Sequence, residues 1–590
     1  MSPSAVPADP STHLPPSLPP SLPTDLEIAR AAQPQPMPAI AGRAGISAEH
    51  LEPYGRAVAK IDLAAIPALQ EQRRAAGVSP ATYIVVTAIT PTPLGEGKTT
   101  TAIGLAQGLA RLGHRATLAL RQPSMGPTFG IKGGAAGAGY SQLLPMETLN
   151  LHLTGDFHAV TAAHNLLSAL VDNHLHHGND LGLDPRSISW RRVLDVNDRA
   201  LRNVVVGLGA RVDGVPRQGG FDITAASEVM VILSLATSLA DLRARLGRIV
   251  VGATYAGRPV TAEDLQAAGA MAVILKDALK PNLLQTLEGT PALVHTGPFG
   301  NIATGNSSVV ADQLGSVTGD YLITEAGFGA DMGLERLVNL KSRVSGLVPA
   351  VAVVVVTVRA LKAHSGRFTI KAGAALPEEM LAEDPDAVFA GADNLRRHLQ
   401  IVAGFGLHPV VAINAFPTDH ASEHAVITRI AAEAGVSSAV STHVADGGAG
   451  ALALAEAVTR MADVPTEVRF SYDLADPLTA KIEAVARSVY GADGVDYLPE
   501  AQRALRRYES LGFGGLPVVI AKTHLSISSD PALRGAPTGW RLPVREARLA
   551  AGAGYVYAVC GEMRTMPGLS RHPAAERIDL DADGQIVGLS

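Results

Sequence analysis

From residue 80 onward, short runs that are almost wholly apolar alternate with longer stretches in which apolar residues recur every three or four places. The unalternating runs are Tyr83–Ile89, Ala116–Leu120, Asn203–Leu208, Arg248–Val251, Ala292–His295, Tyr321–Thr324, Ala350–Val358 and His408–Ile413. A strand that is apolar on both faces is one covered on both faces, so these runs predict central strands of a buried sheet. Helical spacing falls between many of them, as at Thr99–Leu112 with Gly113 as its stop, Ala262–Leu279 and Asp393–Ala403. The repeated order strand, helix, strand predicts an α/β protein whose sheet is mostly parallel with right-handed crossovers. The longest apolar run, around Val348 to Val358, is interrupted by Thr357 and stopped by Arg359. It is well short of the roughly 20 residues a membrane span needs, so it reads as a buried strand.

The first residues carry neither pattern. Eleven of the 39 prolines precede residue 39, most of them in the Ser/Pro/Leu stretch from Ser2 to Pro23. Fixed φ and missing N–H donors exclude a helix or central strand there, so residues 1–24 are expected to be a disordered, Pro-rich tail. Such a segment can also dock in an aromatic groove, but the basic flank common in docking motifs is absent. A second break is Lys371–Pro385, where small residues, two prolines and a cluster of acids separate apolar runs. It divides the chain into an expected 25–370 region and a C-terminal α/β region, 371–590.

At 590 residues the chain exceeds a single core and suggests about three or four units. Forty-nine Lys and Arg against 55 Asp and Glu give a net charge of -6, which supplies no overall positive field to hold a nucleic acid. The one cysteine, Cys560, forms no intramolecular disulfide and builds no cysteine-based zinc site, which points to a reducing compartment. No cationic stretch precedes an apolar core at the start of the chain, so the expectation is a cytoplasmic protein with no membrane partner.

Candidate chemistry begins where the first strong strand meets the first strong helix. Thr92-Pro93-Leu94-Gly95-Glu96-Gly97-Lys98-Thr99 has the spacing of a Walker A phosphate loop. Small residues let backbone N–H groups turn toward phosphate oxygens, the helix N-terminus favours the anion, Lys98 reaches the terminal phosphates and Thr99 offers a hydroxyl to Mg²⁺. One position departs from the pattern, because Thr92 stands where the first glycine is usual. The second strand ends in Arg121, and Lys132 follows in a Gly-rich stretch. Ligands of parallel α/β sheets bind at the carboxyl ends of strands, so both cations are candidates to meet Lys98 around a phosphate or carboxylate. Read alone, Arg121 is equally a surface arginine beside a loop. His152-Leu153-Thr154-Gly155-Asp156-Phe157-His158 holds two imidazoles and a carboxylate, but His158 and His164 lie about 240° apart on a helix, which does not favour a metal site. Hydrogen bonding or substrate positioning by Asp156 and His158, or a structural role, is the expectation.

TPLGEGKTT (Thr92–Thr100), RQPSMGPTFGIKGGAAG (Arg121–Gly137) and NLHLTGDFHA (Asn150–Ala159) closely resemble segments of the formate–tetrahydrofolate ligase family. FDITAASEVM, LKPNLLQTLEGTPALVH, TEAGFGAD, TVRALK, YGADGV and TMPGL follow in the family's order, and DLEIARAA (Asp25–Ala32) and LEPYG (Leu51–Gly55) extend the similarity from about residue 25 to the end. The resemblance implies a P-loop NTPase-like, mostly parallel sheet with additional smaller α/β domains, usually in a homotetramer. It also implies ATP-dependent joining of formate to tetrahydrofolate through formyl phosphate, with Mg²⁺ and often a monovalent cation (K⁺ or NH₄⁺). On that reading Thr92 to Thr99 hold ATP, Thr99 also faces the metal, and Lys98 and Arg121 are catalytic, Arg121 steadying the formyl phosphate.

For the folate, the resemblance places Phe416 in Asn414–Asp419 as an aromatic that stacks on the pterin ring; without it, Phe416 reads as a core residue. In THVADGGAG (Thr442–Gly450), Val444 stands where the family's second stacking aromatic is a Trp, so an aliphatic face replaces a stacking one. Asp446 replaces a frequent Lys, Thr304 a usual His, and His524-Leu525 a usual Gln-Tyr pair. Two other readings stay open: a P-loop NTPase switch or relative with an altered acyl acceptor, and a folate-binding relative without catalysis. Asn414 lacks the following Lys of a guanine-reading NKxD motif, which disfavours a GTPase.

Overall fold

A computed structural model describes residues 23–130, 136–368, 370 and 376–589. The expected tail therefore lies outside the described residues except for Pro23 and Thr24, and so does Lys132. Thr24 is the N-cap of the helix Asp25–Ala31, its hydroxyl accepting from the Glu27 N–H while the Glu27 carboxylate accepts from the Thr24 N–H.

One twelve-stranded sheet organises the chain. In chain order its strands are β1 (Leu51–Tyr54), β2 (Val58–Ile61), β3 (Thr82–Ala88), β4 (Ala116–Leu120), β5 (Gly137–Ala138), β6 (Ser141–Leu144), β7 (Asn282–Thr286), β8 (Pro291–Val294), β9 (Tyr321–Glu325), β10 (Val351–Val356), β11 (His408–Asn414) and β12 (Ser437–Ser441). Across the sheet the order is β1-β2-β7-β8-β4-β9-β3-β10-β11-β12, with β6 on β7 and β5 on β6. The run from β8 to β12 is parallel throughout, and the other pairings are antiparallel. The chain is thus α/β with a large, mostly parallel mixed sheet. Strands β11 and β12, beyond the expected break near residue 371, continue that same sheet.

The apolar runs have the physical meaning expected of them. Ile84, Val86 and Ala88 of β3 and Val351, Val353 and Val355 of β10 face one core with Ala102, Leu105 and Leu109 of helix α1 (Lys98–Arg111). Val85, Ala352, Val354, Val356, Val411 and Ile413 point the other way, into a core closed by Leu395, Leu399 and Val402 of the helix Ala392–Gly404. Successive side chains alternate faces, and both faces are dry. Helix α1 ends as Gly113 takes a φ of +90° and its N–H reaches the Ala110 carbonyl.

Three expectations fail. Asn203–Leu208 supplies only Val204–Val206, in a two-stranded antiparallel ribbon where Val205 is 60% exposed. Arg248–Val251 shifts to Val250–Ala253, which pairs with Pro259–Thr261 outside the main sheet. β-branched residues favour a strand without specifying which sheet it joins. The helix expected over Ala262–Leu279 contracts to Ala268–Leu275, because Asp264 ties back to Thr261 and Gln266 takes a φ of +55°. A third core surrounds helix α2 (Asp156–His176), and a smaller sheet, Val518–Ala521, Tyr555–Val559 and Glu546–Ala550, packs beside it. Among the described residues, no helix is long and apolar enough to cross a membrane.

Candidate active site

Strand β3 is the pivot of the site. It ends in the phosphate-loop sequence, β9 lies on one side with β4 beyond it, and β10, β11 and β12 lie on the other. Six adjacent parallel strands therefore deliver their carboxyl ends to one edge, where α/β sheets bind ligands.

The loop is held by its own carboxylate. Glu96 is buried; one oxygen accepts from both the N–H and the hydroxyl of Thr92 at 2.9 Å, and the other accepts from the Thr357 hydroxyl at 2.9 Å. This accounts for threonine at the departing position. Thr92 is not among the residues with positive φ, so it tolerates a side chain, and that side chain bonds to Glu96. Gly97 has no such freedom: its φ is +77°, and a Cβ there would lie 2.4 Å from Asn414 Nδ2, which donates to the Glu96 carbonyl.

Toward β4, the end of β9 places Glu325 between two of the expected site residues. The Thr99 hydroxyl donates to Glu325 at 2.6 Å, and Arg121 Nε and Nη2 approach the other carboxylate oxygen at 3.4 Å. The Glu325 side chain is only 6% exposed. Glu325 thus joins the Thr99 hydroxyl to the arginine, and the motif reading missed it. Its signal was an acid ending a buried strand, the place where phosphate-loop proteins carry a metal-holding acid.

Toward β11 and β12 the contacts differ in kind. Phe416 is half-buried, with the Arg359 guanidinium 3.6 Å from its ring centroid, and Arg359 Nη2 donates to the Gly95 carbonyl at 3.3 Å. Val444 packs on the turn at Gly139 and Tyr140, its carbonyl accepting from the Tyr140 N–H at 2.8 Å. Beside it, His443 is buried against α1. Its Nδ1 lies 2.8 Å from the Ser441 hydroxyl, its Nε2 lies 3.3 Å from that of Thr100, and burial pushes its pKa down to about 4. A Cβ on Gly104 would lie 2.4 Å from the His443 Cβ, so this glycine admits the imidazole.

In the histidine-rich segment the carboxylate is buried, while His152 and His158 are exposed. Asp156 forms a buried pair with Lys60 at 2.9 Å and accepts from Asn282 at 2.8 Å. His164 stacks on Trp190, and burial pushes its pKa down to about 4. His152 and His158 sit 2.8 Å apart, and no group of three candidate metal-ligating side chains occurs among the described residues. Of the other departures, Thr304 is fully buried, Asp446 accepts from Thr442 at the surface, and His524 stacks on Phe328 at 4.6 Å beside a cavity of about 460 Å³.

Comparison with known proteins now adds to this geometry. Residues 23–590 match the profile of the family described as formate–tetrahydrofolate ligase. The formate–tetrahydrofolate ligase of Cutibacterium acnes is 65% identical over 566 residues, covering 96% of this chain and 100% of that protein. The ligase of Saccharopolyspora erythraea is 64% identical, covering 96% and 99%. Formate–tetrahydrofolate ligase 3 of Rubrobacter xylanophilus is also 64% identical, covering 96% and 100%. The chain belongs to the formate–tetrahydrofolate ligase family. Family membership covers both flanks of the site, including Glu325, Arg359 and Phe416, because the match runs from residue 23 to the end.

Proposed function

We propose that this protein is an ATP-dependent ligase that joins formate to N10 of tetrahydrofolate, with formyl phosphate as the intermediate, on a P-loop NTPase-like sheet. The observation that carries the reading is the meeting of Thr99, Glu325 and Arg121 at one end of the phosphate loop, in a chain of this family. Formate is a poor electrophile, and its carboxylate must first gain a leaving group. A formate oxygen attacks the γ-phosphorus of ATP, the bond to the β-phosphate oxygen breaks, and ADP leaves.

Thr92 to Thr99 cradle the phosphates, Lys98 offsets charge on the transferred group, and Arg121 steadies the formyl phosphate. The N10 amine then attacks the formyl carbon, inorganic phosphate departs, and the amine proton passes to phosphate or solvent. Positioning and charge neutralisation suffice, so no protein nucleophile is required. The Thr99 hydroxyl and the Glu325 carboxylate, both hard oxygen donors, fit Mg²⁺, which when bound neutralises phosphate charge. Phe416 supplies the stacking face for the pterin, with Val444 lining the same flank.

The test is formate-dependent ADP release by the purified protein, followed with the acid-converted methenyl product, with and without tetrahydrofolate and with Lys98→Ala as control. Product that requires all three substrates and Lys98 supports the ligase. ATP turnover without folate product overturns it in favour of an altered acceptor.

A further inference from the structure

The two flanks of the site share one side chain. Arg359 is the second residue of helix α3 (Val358–His364), whose start is fixed because the Thr357 hydroxyl accepts from the Ala360 N–H at 3.1 Å. The same hydroxyl donates to Glu96 in the phosphate loop. From this anchored start the Arg359 guanidinium reaches in two directions, over the Phe416 ring at 3.6 Å and to the Gly95 carbonyl at 3.3 Å. Its Nε is buried without a hydrogen-bond partner.

Two carboxylates attract Arg359, and each is hydrogen-bonded elsewhere. The carboxylates that act on Arg359 electrostatically are Glu96 and Asp419. Glu96 is engaged by Thr92 and Thr357, while Asp419 accepts from the Phe416 N–H at 2.9 Å and lies 3.1 Å from His424 Nε2. The Asp419 N–H in turn donates to the Phe416 carbonyl, so the ring stands on a closed turn. Arg359 therefore links two otherwise fixed pieces, the turn that presents Phe416 and the glycine carbonyl of the phosphate loop.

We propose that Arg359 is the positioning residue that couples the folate pocket to the phosphate loop, so that nucleotide and tetrahydrofolate each bind more tightly in the presence of the other. This rests on the reading above, in which the loop holds phosphates and Phe416 stacks on the pterin. A polyphosphate that draws the loop N–H groups inward also fixes the Gly95 peptide and its outward carbonyl. The guanidinium bonded to that carbonyl is then held flat against one face of Phe416, leaving the opposite face for the incoming ring. The cation draws electron density from the ring it covers, which favours stacking against an electron-rich reduced pterin. Linkage makes the effect reciprocal, and a coupling on the order of tenfold is within the usual range. An arginine is suited to this task because its plane stacks while its edge still donates, which the point charge of lysine does not reproduce.

The experiment uses the full-length protein, Mg²⁺, a non-hydrolysable ATP analogue and tetrahydrofolate, without formate. Titration calorimetry gives the Kd of each ligand alone and in the presence of the other, for the wild type, Arg359→Met, Arg359→Lys and Phe416→Ala, with far-UV circular dichroism confirming that each variant folds. The wild type is expected to show about tenfold mutual tightening. Arg359→Met should bring that ratio near one while shifting each ligand's separate Kd by less than about threefold, and Arg359→Lys should restore only part of the ratio. A loss of fold or a purely structural role would weaken single-ligand binding and leave the ratio in place. Wild-type coupling retained in Arg359→Met, or no coupling in the wild type, overturns the proposal. Phe416→Ala keeps the outcomes apart: unchanged folate affinity in that variant removes the folate reading itself, whereas weakened folate affinity with coupling intact in Arg359→Met removes only the role of Arg359.

Discussion

On the β4 and β9 flank of the phosphate loop, charges and hydroxyls meet directly: Thr99 on Glu325, and Glu325 beside Arg121. On the β11 and β12 flank, the corresponding strand ends present a ring, an aliphatic side chain and a neutral imidazole, and the cation there lies over an aromatic face. The first arrangement suits a step in which negative charge moves between oxygens, with Thr99 held close on Glu325 and Arg121 at a looser 3.4 Å. The second suits recognition of a flat ligand, and it can change one side chain without disturbing the sheet. Of the departures the sequence shows, Val444 and Asp446 lie on the second flank, whereas Thr92 sits in the loop itself and Thr304 and His524 lie by the segment that follows β9, next to Gly305 and on Phe328, so change is not confined to one flank.

The sharpest way to break the comparison is to remove charge from the first flank. Lys98→Ala should lower kcat for folate-dependent ADP release by about 10³-fold, in the range found when a single cation on a transferred phosphoryl group is lost. Tetrahydrofolate affinity should change little. An equal loss of folate affinity, measured by titration, would show that the two flanks are not separable.

Glu325→Gln is the next largest. It keeps the shape of the contact with Thr99 and removes the negative charge, so turnover should fall about 10²-fold. A second readout is independent of turnover: Mn²⁺ binding with ADP, followed by electron paramagnetic resonance, should weaken about tenfold if Glu325 faces the metal. Unchanged Mn²⁺ affinity would reduce Glu325 to a support for Arg121.

Much of the fold was legible because β3, β4, β10 and β11 are continuous apolar runs that only a doubly covered sheet can bury. The antiparallel ribbon at Val204–Val206 was not, since three valines show strand propensity without showing whether a helix covers them. At the site, the phosphate loop was readable as a word, and Phe416 by its resemblance to a family aromatic. Glu325 and Arg359 were not, although each lies in a recognisable segment, because their contacts arise from strand order. Glu325 meets Thr99 only since β9 inserts between β4 and β3, and Arg359 meets Phe416 only since β10 and β11 are neighbours. Asp156 shows the converse: its motif suggested chemistry, and its partner, Lys60, lies 96 residues earlier on β2.

The imidazole of His443 tests how firmly the recognition flank is clamped to α1. Burial holds its pKa near 4 in the fold, against an unfolded value of about 6.5. The unfolded chain binds the extra proton between those values, so stability is full above pH 6.5 and falls as pH drops toward 4. His164, His295 and His398 are lowered in the same way and add to the trend. In urea unfolding at pH 6.5 and 5, His443→Gln should lose about 1.5 kcal/mol less than the wild type over that interval, because the unfolded imidazole is already half protonated at pH 6.5 and approaches one proton's slope of roughly 1.4 kcal/mol per pH unit only below it. Identical pH slopes would show that His443 is solvated in the fold. Below this in size is Phe416→Ala, which should weaken tetrahydrofolate about tenfold and leave the ATP analogue's Kd unchanged, through the loss of stacking and apolar area.

The smallest effect asks most of the comparison. If the recognition flank tolerates exchange, restoring an aromatic at Val444 should act on folate alone. Val444→Trp replaces an aliphatic contact with a stacking one worth about 0.5–1.5 kcal/mol, so tetrahydrofolate should bind roughly 2- to 12-fold more tightly, with kcat and nucleotide affinity unchanged. The side chain is half-buried against the Gly139 and Tyr140 turn, where a Cβ on Gly139 would come within 2.9 Å of Val444 Cγ1, so the larger indole has to leave this turn for the open side. That constraint makes the direction of the result informative. Tighter folate binding would mean the indole reaches the pterin face opposite Phe416 and that Val444 is a weaker version of the same contact. Unchanged folate affinity with lowered thermal stability would mean the indole remains pressed on the turn, and would leave Phe416, backed by Arg359, as the flank's stacking surface.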